Sequence, residues 1–259
     1  SGTDTDGTSA DSATEELGLS TPDGKVIYSL NETATITVSG IPDGATAYYT
    51  TDGTDPTTSS QTVSGTTIEA TAPNQTDGGT VVVKVVRASG DESNMTYSTI
   101  AELTLSFYRT TEAENSAFSL EVNDSTYYFS DAVSAFTAGN DVNLAGNMKL
   151  SVLKSNTEEN AYGYSSEAYF SQAESLEFDL GSCSLFLKNN GDNVIALNFD
   201  VDDITISGSD STNATLTLVN GTLYGNAVTE IKNVSIIGKY TLNFSSYLVG
   251  KSNTMMNIS

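Results

Sequence analysis

The chain has 259 residues, of which 33 are acidic and 10 basic, with no histidine and a single cysteine, for a formal net charge of −23. Such a field repels nucleic acid and anionic membranes, because phosphate recognition needs lysine and arginine. The missing imidazole removes Ser-His-Asp and Cys-His catalysis and histidine-based zinc sites, and Cys183 alone cannot form a disulfide within the chain.

The length suggests one or two domains. Hydrophobic residues make up 37% of the chain, and Ser, Thr, Asn, Asp and Gly fill the difference, a composition of turns and exposed strand faces rather than helix interiors. No stretch approaches the roughly 20 apolar residues that cross a bilayer, so direct membrane insertion is not expected. Cys183 sits in an apolar alternation, Ser184-Leu185-Phe186-Leu187, and reads as a small buried hydrophobe.

Residues 1–16 hold two alanines as their only apolar side chains. They cannot bury enough surface to offset ordering entropy, so the segment reads as a flexible acidic leader. Residues 17–108 carry short strands separated by polar turns. Val26, Tyr28 and Leu30 alternate, then Ala34, Ile36 and Val38; Thr80 to Val86 is the most β-branched run, and Leu103, Leu105 and Phe107 close the set. All four prolines fall here at turn positions. Six or seven such strands fit an antiparallel sandwich. Residues 109–115 read as a polar hinge.

Over residues 116–259 the pattern changes. Apolar triplets recur as Leu176-x-Phe178-x-Leu180, Leu197-x-Phe199-x-Val201 and Leu216-x-Leu218, with starts 21 and 19 residues apart. Asn and Gly punctuate the corners, where a left-handed backbone is needed. A period near 20 residues predicts a solenoid whose coils stack to build the core. Met255 to Ser259 carry no signal for a terminal cap helix, so the expectation is a solenoid that is incomplete or covered by a partner at that end. An ordinary antiparallel sandwich stays open for this half.

Two segments carry family resemblances. Ala47 to Pro56, AYYTTDGTDP, resembles the C-terminal immunoglobulin-like domain of chitobiase and hexosaminidase enzymes, whose hallmark is a YYT-DG-(T/S)-x-P run. The resemblance covers about Pro22 to Tyr108 and implies a surface-associated β-sandwich. It does not imply a hydrolase, since the module also occurs in surface proteins without catalytic domains. Ser125 to Leu150 resembles the first turn of right-handed parallel β-helices of the pectin-lyase-like kind on bacterial surface proteins. That resemblance implies a capping helix near 130–137, with Ser130 as its N-cap and Asp131 to Phe136 within it, and a first coil strand at Asp141 to Leu144. Ala214 to Asn226 is similar to later coil phrases. The fold class expected is therefore all-β, an immunoglobulin-like β-sandwich followed by a right-handed parallel β-helix.

Pectin-lyase-like folds include lyases that use an Arg or Lys base with Ca²⁺, and hydrolases with Asp clusters plus Gly-His-Gly and Arg-Ile-Lys motifs. Arg87 and Arg109 are the chain's only arginines and precede the expected solenoid, so no catalytic residue is assigned. Asp200, Asp202 and Asp203 form the best carboxylate cluster and are the candidate metal ligands, with Ca²⁺ as the one cofactor left open; a paired acid and base is the alternative use, and a solvated corner is the plain one. Tyr162, Tyr164 and Tyr169 are the candidate ligand-binding residues, because aromatic rings bind sugar faces; packing inside the fold is the plain alternative. The expected function is a non-catalytic module of the bacterial envelope, secreted or at the cell surface, for adhesion or binding of a glycan or cell-envelope partner. A polysaccharide-acting lyase or glycoside hydrolase is the rival, and a pure spacer the third. Nucleic acid is not an expected partner, and the oligomeric state is not legible.

Overall fold

A computed structural model describes residues 15–164, 168–189, 196–210 and 214–244, apart from the side chains of Tyr164, Ala168, Ala196, Leu197 and residues 241–244. The described residues form an all-β structure with one α-helix, and the chain divides into two compact units, Ser1–Phe107 and Tyr108–Ser259.

The first unit contains β1 (Gly18–Ser20), β2 (Ile27–Ser29), β3 (Thr33–Ser39), β4 (Thr46–Thr50), β5 (Gln61–Thr62), β6 (Thr67–Thr71), β7 (Gly79–Ser89), β8 (Thr96–Tyr97) and β9 (Ala101–Tyr108), whose last residue, Tyr108, belongs to the second unit. One sheet runs β1-β3-β6, the other β2-β9-β7-β4-β5 with β8 beside β7. Period-2 patterning decides which side chains go inward. Ala34, Ile36 and Val38 of β3 and Ile68 and Ala70 of β6 are buried, while Thr35 and Thr37 of β3 and Glu69 of β6 between them are exposed. Val81, Val83 and Val85 of β7 join them from the second sheet, with Leu105 and Phe107 of β9, in one shared core. Tyr28 stacks on Phe107 with ring centroids 5.4 Å apart.

The TTDGTDP loop is fastened to β7. The Asp52 carboxylate accepts from the Thr54 amide at 3.0 Å, and its hydrogen bonds to the Thr54 hydroxyl and amide hold its pKa below the ordinary value. Gly53 adopts φ 79° and donates its amide to the Val82 carbonyl at 3.0 Å. Lys84 of β7 pairs with Asp55 at 2.9 Å. A turn that needs positive φ, an Asx cap and a cross-loop ion pair explains this residue order without any bound ligand.

The second unit contains β10 (Phe118–Val122), β11 (Ser125–Phe129), α1 (Ala132–Gly139), β12 (Gly146–Val152), β13 (Tyr162–Tyr164), β14 (Ala168–Tyr169), β15 (Ala173–Asp179), β16 (Ser184–Asn189), β17 (Ala196–Phe199), β18 (Ile204–Ser207), β19 (Ala214–Lys232) and β20 (Val234–Phe244). Asn123 and Asp124, both at positive φ, make the tight turn of the β10–β11 hairpin. Residues 109–115, expected as a hinge, are tied to β11: Thr110 bridges to Phe129, and the Thr111 amide donates to the Tyr128 carbonyl at 2.9 Å.

From β12 onward the pairing is parallel. β12 lies on β15, β15 on β18, and β18 on the last part of β19. β13 lies on β16, and β16 on the first part of β19. β14 lies on β17, and β17 on the middle of β19. β20 then follows β19 through all three parts. Aliphatic and aromatic ladders run through this stack: Leu150, Phe178, Ile206 and Ile231 are aligned by register and at most 1% exposed.

The register corrects the expected period. Leu176 aligns with Ile204, Leu197 with Leu223, and Leu216 with both Leu185 and Ile236. The three phrases spaced 21 and 19 residues apart thus sit in three different strand columns, and Leu150, Phe178 and Ile206 return at intervals of 28. Every column needs the same apolar alternation to face the interior, so phrases from different columns look alike in sequence.

α1 lies at the start of this stack. Its N-cap is Asp131, whose carboxylate accepts the Ser134 amide at 2.8 Å, rather than Ser130. Asp141 to Leu144 is not a strand: Val142–Leu144 form a 3-10 turn and the first stacked strand begins at Gly146. Asp141, 8% exposed, caps that turn at the Asn143 amide and accepts the Tyr108 hydroxyl. Phe136 of α1 meets the rings of Phe118, Tyr169, Phe170 and Phe199 at centroid distances of 5.1 to 6.1 Å for the last three and 6.5 Å for the first. Gly139 allows this packing, since a Cβ there would stand 2.3 Å from the Phe170 ring.

Candidate binding groove

Parallel strands with apolar residues at alternate positions must present the others outward. On β12 the outward residues are Asn147 and Lys149; on β15, Ser175, Glu177 and Asp179; on β18, Thr205 and Ser207; on β19, Glu230 and Lys232. Lys149, Glu177, Thr205 and Glu230 align across the four strands, as do Ser151, Asp179, Ser207 and Lys232.

Two open hollows lie over these rows. One of about 660 Å³ is lined by the outward residues of β15, β18 and β19 together with Asp203 and Asp210. A second of about 630 Å³ reaches over β12 to Glu121 of β10 and the Asn123–Asp124 turn. They share Ser175 and Glu177. Two β-bulges shape the floor. The register slips between Gly146 and Asn147, which adds Glu174 on β15, and between Ile204 and Thr205, which adds Thr229 on β19. A bulge re-aims side chains; the Thr229 hydroxyl turns to the Asp203 carboxylate at 2.7 Å.

The groove is partly self-neutralised. Lys149 reaches Glu177 at 3.1 Å and Asp179 at 3.3 Å, and its hydrogen bond to Glu177, with further help from Asp179, holds its pKa above the ordinary lysine value. Asp179 also accepts the Gly181 amide at 2.8 Å. Lys232 stands 3.5 Å from Asp210, which accepts the Asn233 side-chain amide at 2.8 Å. Ser175 donates to Asn147 at 2.8 Å. Among the described lining residues there is no aromatic ring and no arginine.

The residues singled out from sequence take different places. Tyr162 is half-buried with its ring edge-on to Phe118 at 5.4 Å, and burial, aided by the charge of Asp131, raises its hydroxyl pKa. Tyr169 is 3% exposed and packs on Phe136 at 5.1 Å. The side chain of Tyr164 lies outside the described residues. Asp200 and Asp202 are exposed, and Asn226 donates to Asp200 at 3.5 Å. Asp203 alone of the three aspartates lines the groove. Among the described residues no group of three or more acidic or cysteine side chains is placed to hold a metal ion.

Sequence reasoning missed Lys149, Glu177, Asp179, Glu230 and Lys232. Glu177 and Asp179 occupy the x positions of Leu176-x-Phe178-x-Leu180, so the signal was present. Only a 28-residue alignment stacks Lys149, Glu177 and Thr205 in one row. Comparison of the chain with family models, with curated proteins and with solved structures gives no match.

Proposed function

We propose that this chain is a non-catalytic module of the bacterial envelope, secreted or held at the cell surface, and that it binds a glycan in the groove over β12, β15, β18 and β19. In architectural terms it is an immunoglobulin-like sandwich of the chitobiase C-terminal kind followed by a right-handed parallel β-helix of the pectin-lyase-like kind. Support for the first half is the TTDGTDP turn at the end of β4, leading to β5 of the same sheet, in a unit whose two sheets share one core. Support for the second is the parallel return of the chain onto the same columns, since parallel crossovers in one sheet are right-handed almost without exception.

The observation that carries the functional reading is the groove itself. It is an open concavity lined by hydroxyl, amide and carboxylate groups on a sheet of hydrogen-bonded parallel strands. Such groups donate to and accept from sugar hydroxyls, and a floor already ordered by strand pairing lowers the entropy lost on binding. The non-catalytic reading draws on the sequence: the chain has no histidine, and its two arginines, Arg87 and Arg109, both precede the strands that form the groove.

A glycan array with the intact chain tests the proposal, run with and without EDTA. Binding that a Glu177→Ala, Asp203→Ala double variant loses is the expected result. Loss of hits on chelation would mean that Ca²⁺ bridges the carboxylates to the ligand. Release of shortened product from a polysaccharide panel would overturn the non-catalytic reading, and a blank array would overturn glycan binding.

A further inference from the structure

Building on the groove as a glycan site, we infer that its ligand is a linear glycan bearing free amines, laid across the strands rather than along them. The two hollows join at Ser175 and Glu177. The strands they cross are neighbours in the order β10-β12-β15-β18-β19. Four interstrand spacings make the joined groove about 19 Å long, which suits an oligomer rather than a single sugar ring.

Charge selects the class. The two lining lysines are both ion-paired, Lys149 with Glu177 and Asp179, and Lys232 with Asp210. Glu121, Asp124, Asp203 and Glu230 also line the groove and make no ion pair among the described residues. A polyuronate would meet this surplus of carboxylate within a chain of net charge −23 and be repelled. A neutral sugar would hydrogen-bond the same groups but leave their surplus charge unmatched, and no lining residue adds an aromatic ring for its face. A basic peptide that bound by strand addition would need a free sheet edge. This groove lies over a sheet face whose backbone groups are already paired between strands. An amine-bearing glycan supplies what the lining lacks: ammonium groups to meet Glu121 on β10, Asp124 in its turn, Asp203 before β18 and Glu230 on β19, and hydroxyls to meet Ser175, Thr205 and Ser207.

The test is calorimetric titration of the intact chain with oligomers of glucosamine and with the same oligomers N-acetylated. The amine form is expected to bind about tenfold or more tighter, with affinity falling as salt rises. A D203N/E230Q double variant is expected to weaken the amine oligomer about tenfold, while E92Q, an exposed change in the first unit, leaves it unchanged. Thermal unfolding of each variant reports whether it is folded, and the comparison of the two oligomers on the native chain needs no variant. Equal or tighter binding of the N-acetylated oligomer overturns the amine inference and leaves glycan binding standing. An unchanged affinity in folded D203N/E230Q likewise overturns it. Failure of every glycan on the array removes the reading beneath it.

Discussion

The two units build β-structure by opposite routes. In the first, β1 with β3, β3 with β6, and β4 and β9 with β7 pair antiparallel, and turns such as Asp52-Gly53 mark where strands end. In the second, beyond the β10–β11 hairpin, no turn sets the register. Leu150 finds Phe178, and Phe178 finds Ile206, only because their side chains fill one interior row. Both units pair residues distant in sequence, Ile36 with Ile68 and Tyr48 with Val86 in the first and Leu150 with Phe178 in the second, so loop closure costs entropy in both; what differs is that turn chemistry marks strand ends in the first, whereas interior matching sets the register in the second.

The largest test of that contrast removes the ring on which the second unit's aromatic cluster converges. Phe136→Ala deletes a fully buried side chain and is expected to destabilise the second unit by about 3–5 kcal/mol. Calorimetry should show one transition falling while the transition of the first unit stays in place. A single transition that moves as a whole would mean that the two units unfold together. The mirror experiment is Ile68→Ala, 2% exposed in the first core, with an expected loss of about 2–5 kcal/mol confined to the other transition.

A smaller effect sharpens the comparison at one cap. Asp131→Ala removes the acceptor for the Ser134 amide and is expected to cost about 1 kcal/mol. Ser130→Ala should cost almost nothing by the same denaturant midpoint, since the cap belongs to its neighbour; the reverse order of costs would restore Ser130 as the cap.

The smallest effects are electrostatic and have opposite pH signs in the two units. Burial pushes the Glu32 carboxyl up, but hydrogen bonds from Lys25 and from the Ser29 amide, with the Lys25 charge, outweigh it and leave the pKa lowered from 4.5. A lowered carboxyl pKa gives stability that is present above the unfolded value and lost as pH falls through the folded one. The difference between native chain and Glu32→Gln should therefore be constant near neutrality and shrink in acid. Lys149 has a raised pKa, so its contribution is complete below the unfolded lysine value and fades as pH climbs through the folded one. Lys149→Met compared with the native chain at neutral and strongly alkaline pH measures this; both pairs are solvent-accessible and worth at most about 1 kcal/mol. A Lys149 difference that grew with alkalinity would contradict the sign.

How much could be read beforehand follows from the same contrast. The inward positions Ala34, Ile36 and Val38 were legible, because alternation on a half-buried strand is a local signal. The helix at Ala132–Gly139 lies close to the span 130–137 expected for it. Its cap was misplaced by one residue because Ser130 and Asp131 are both competent acceptors, and only the geometry of the Ser134 amide decides between them. The spacing of 28 was hidden because apolar phrases from three columns interleave along the chain. With the wrong period, Glu177 and Glu230 stayed scattered, and the groove could not be assembled. Tyr169 looked available because sequence cannot distinguish a ring on Phe136 from one facing solvent.

The bulge that leaves Thr229 over on β19 also shapes how this surface can change through evolution. The interior rows beneath it carry the fold, so the outward letters at 149, 177, 205 and 230 form an alphabet that mutation can respell cheaply. A substitution at any of these four positions changes what this face presents while the buried rows beneath it keep their packing.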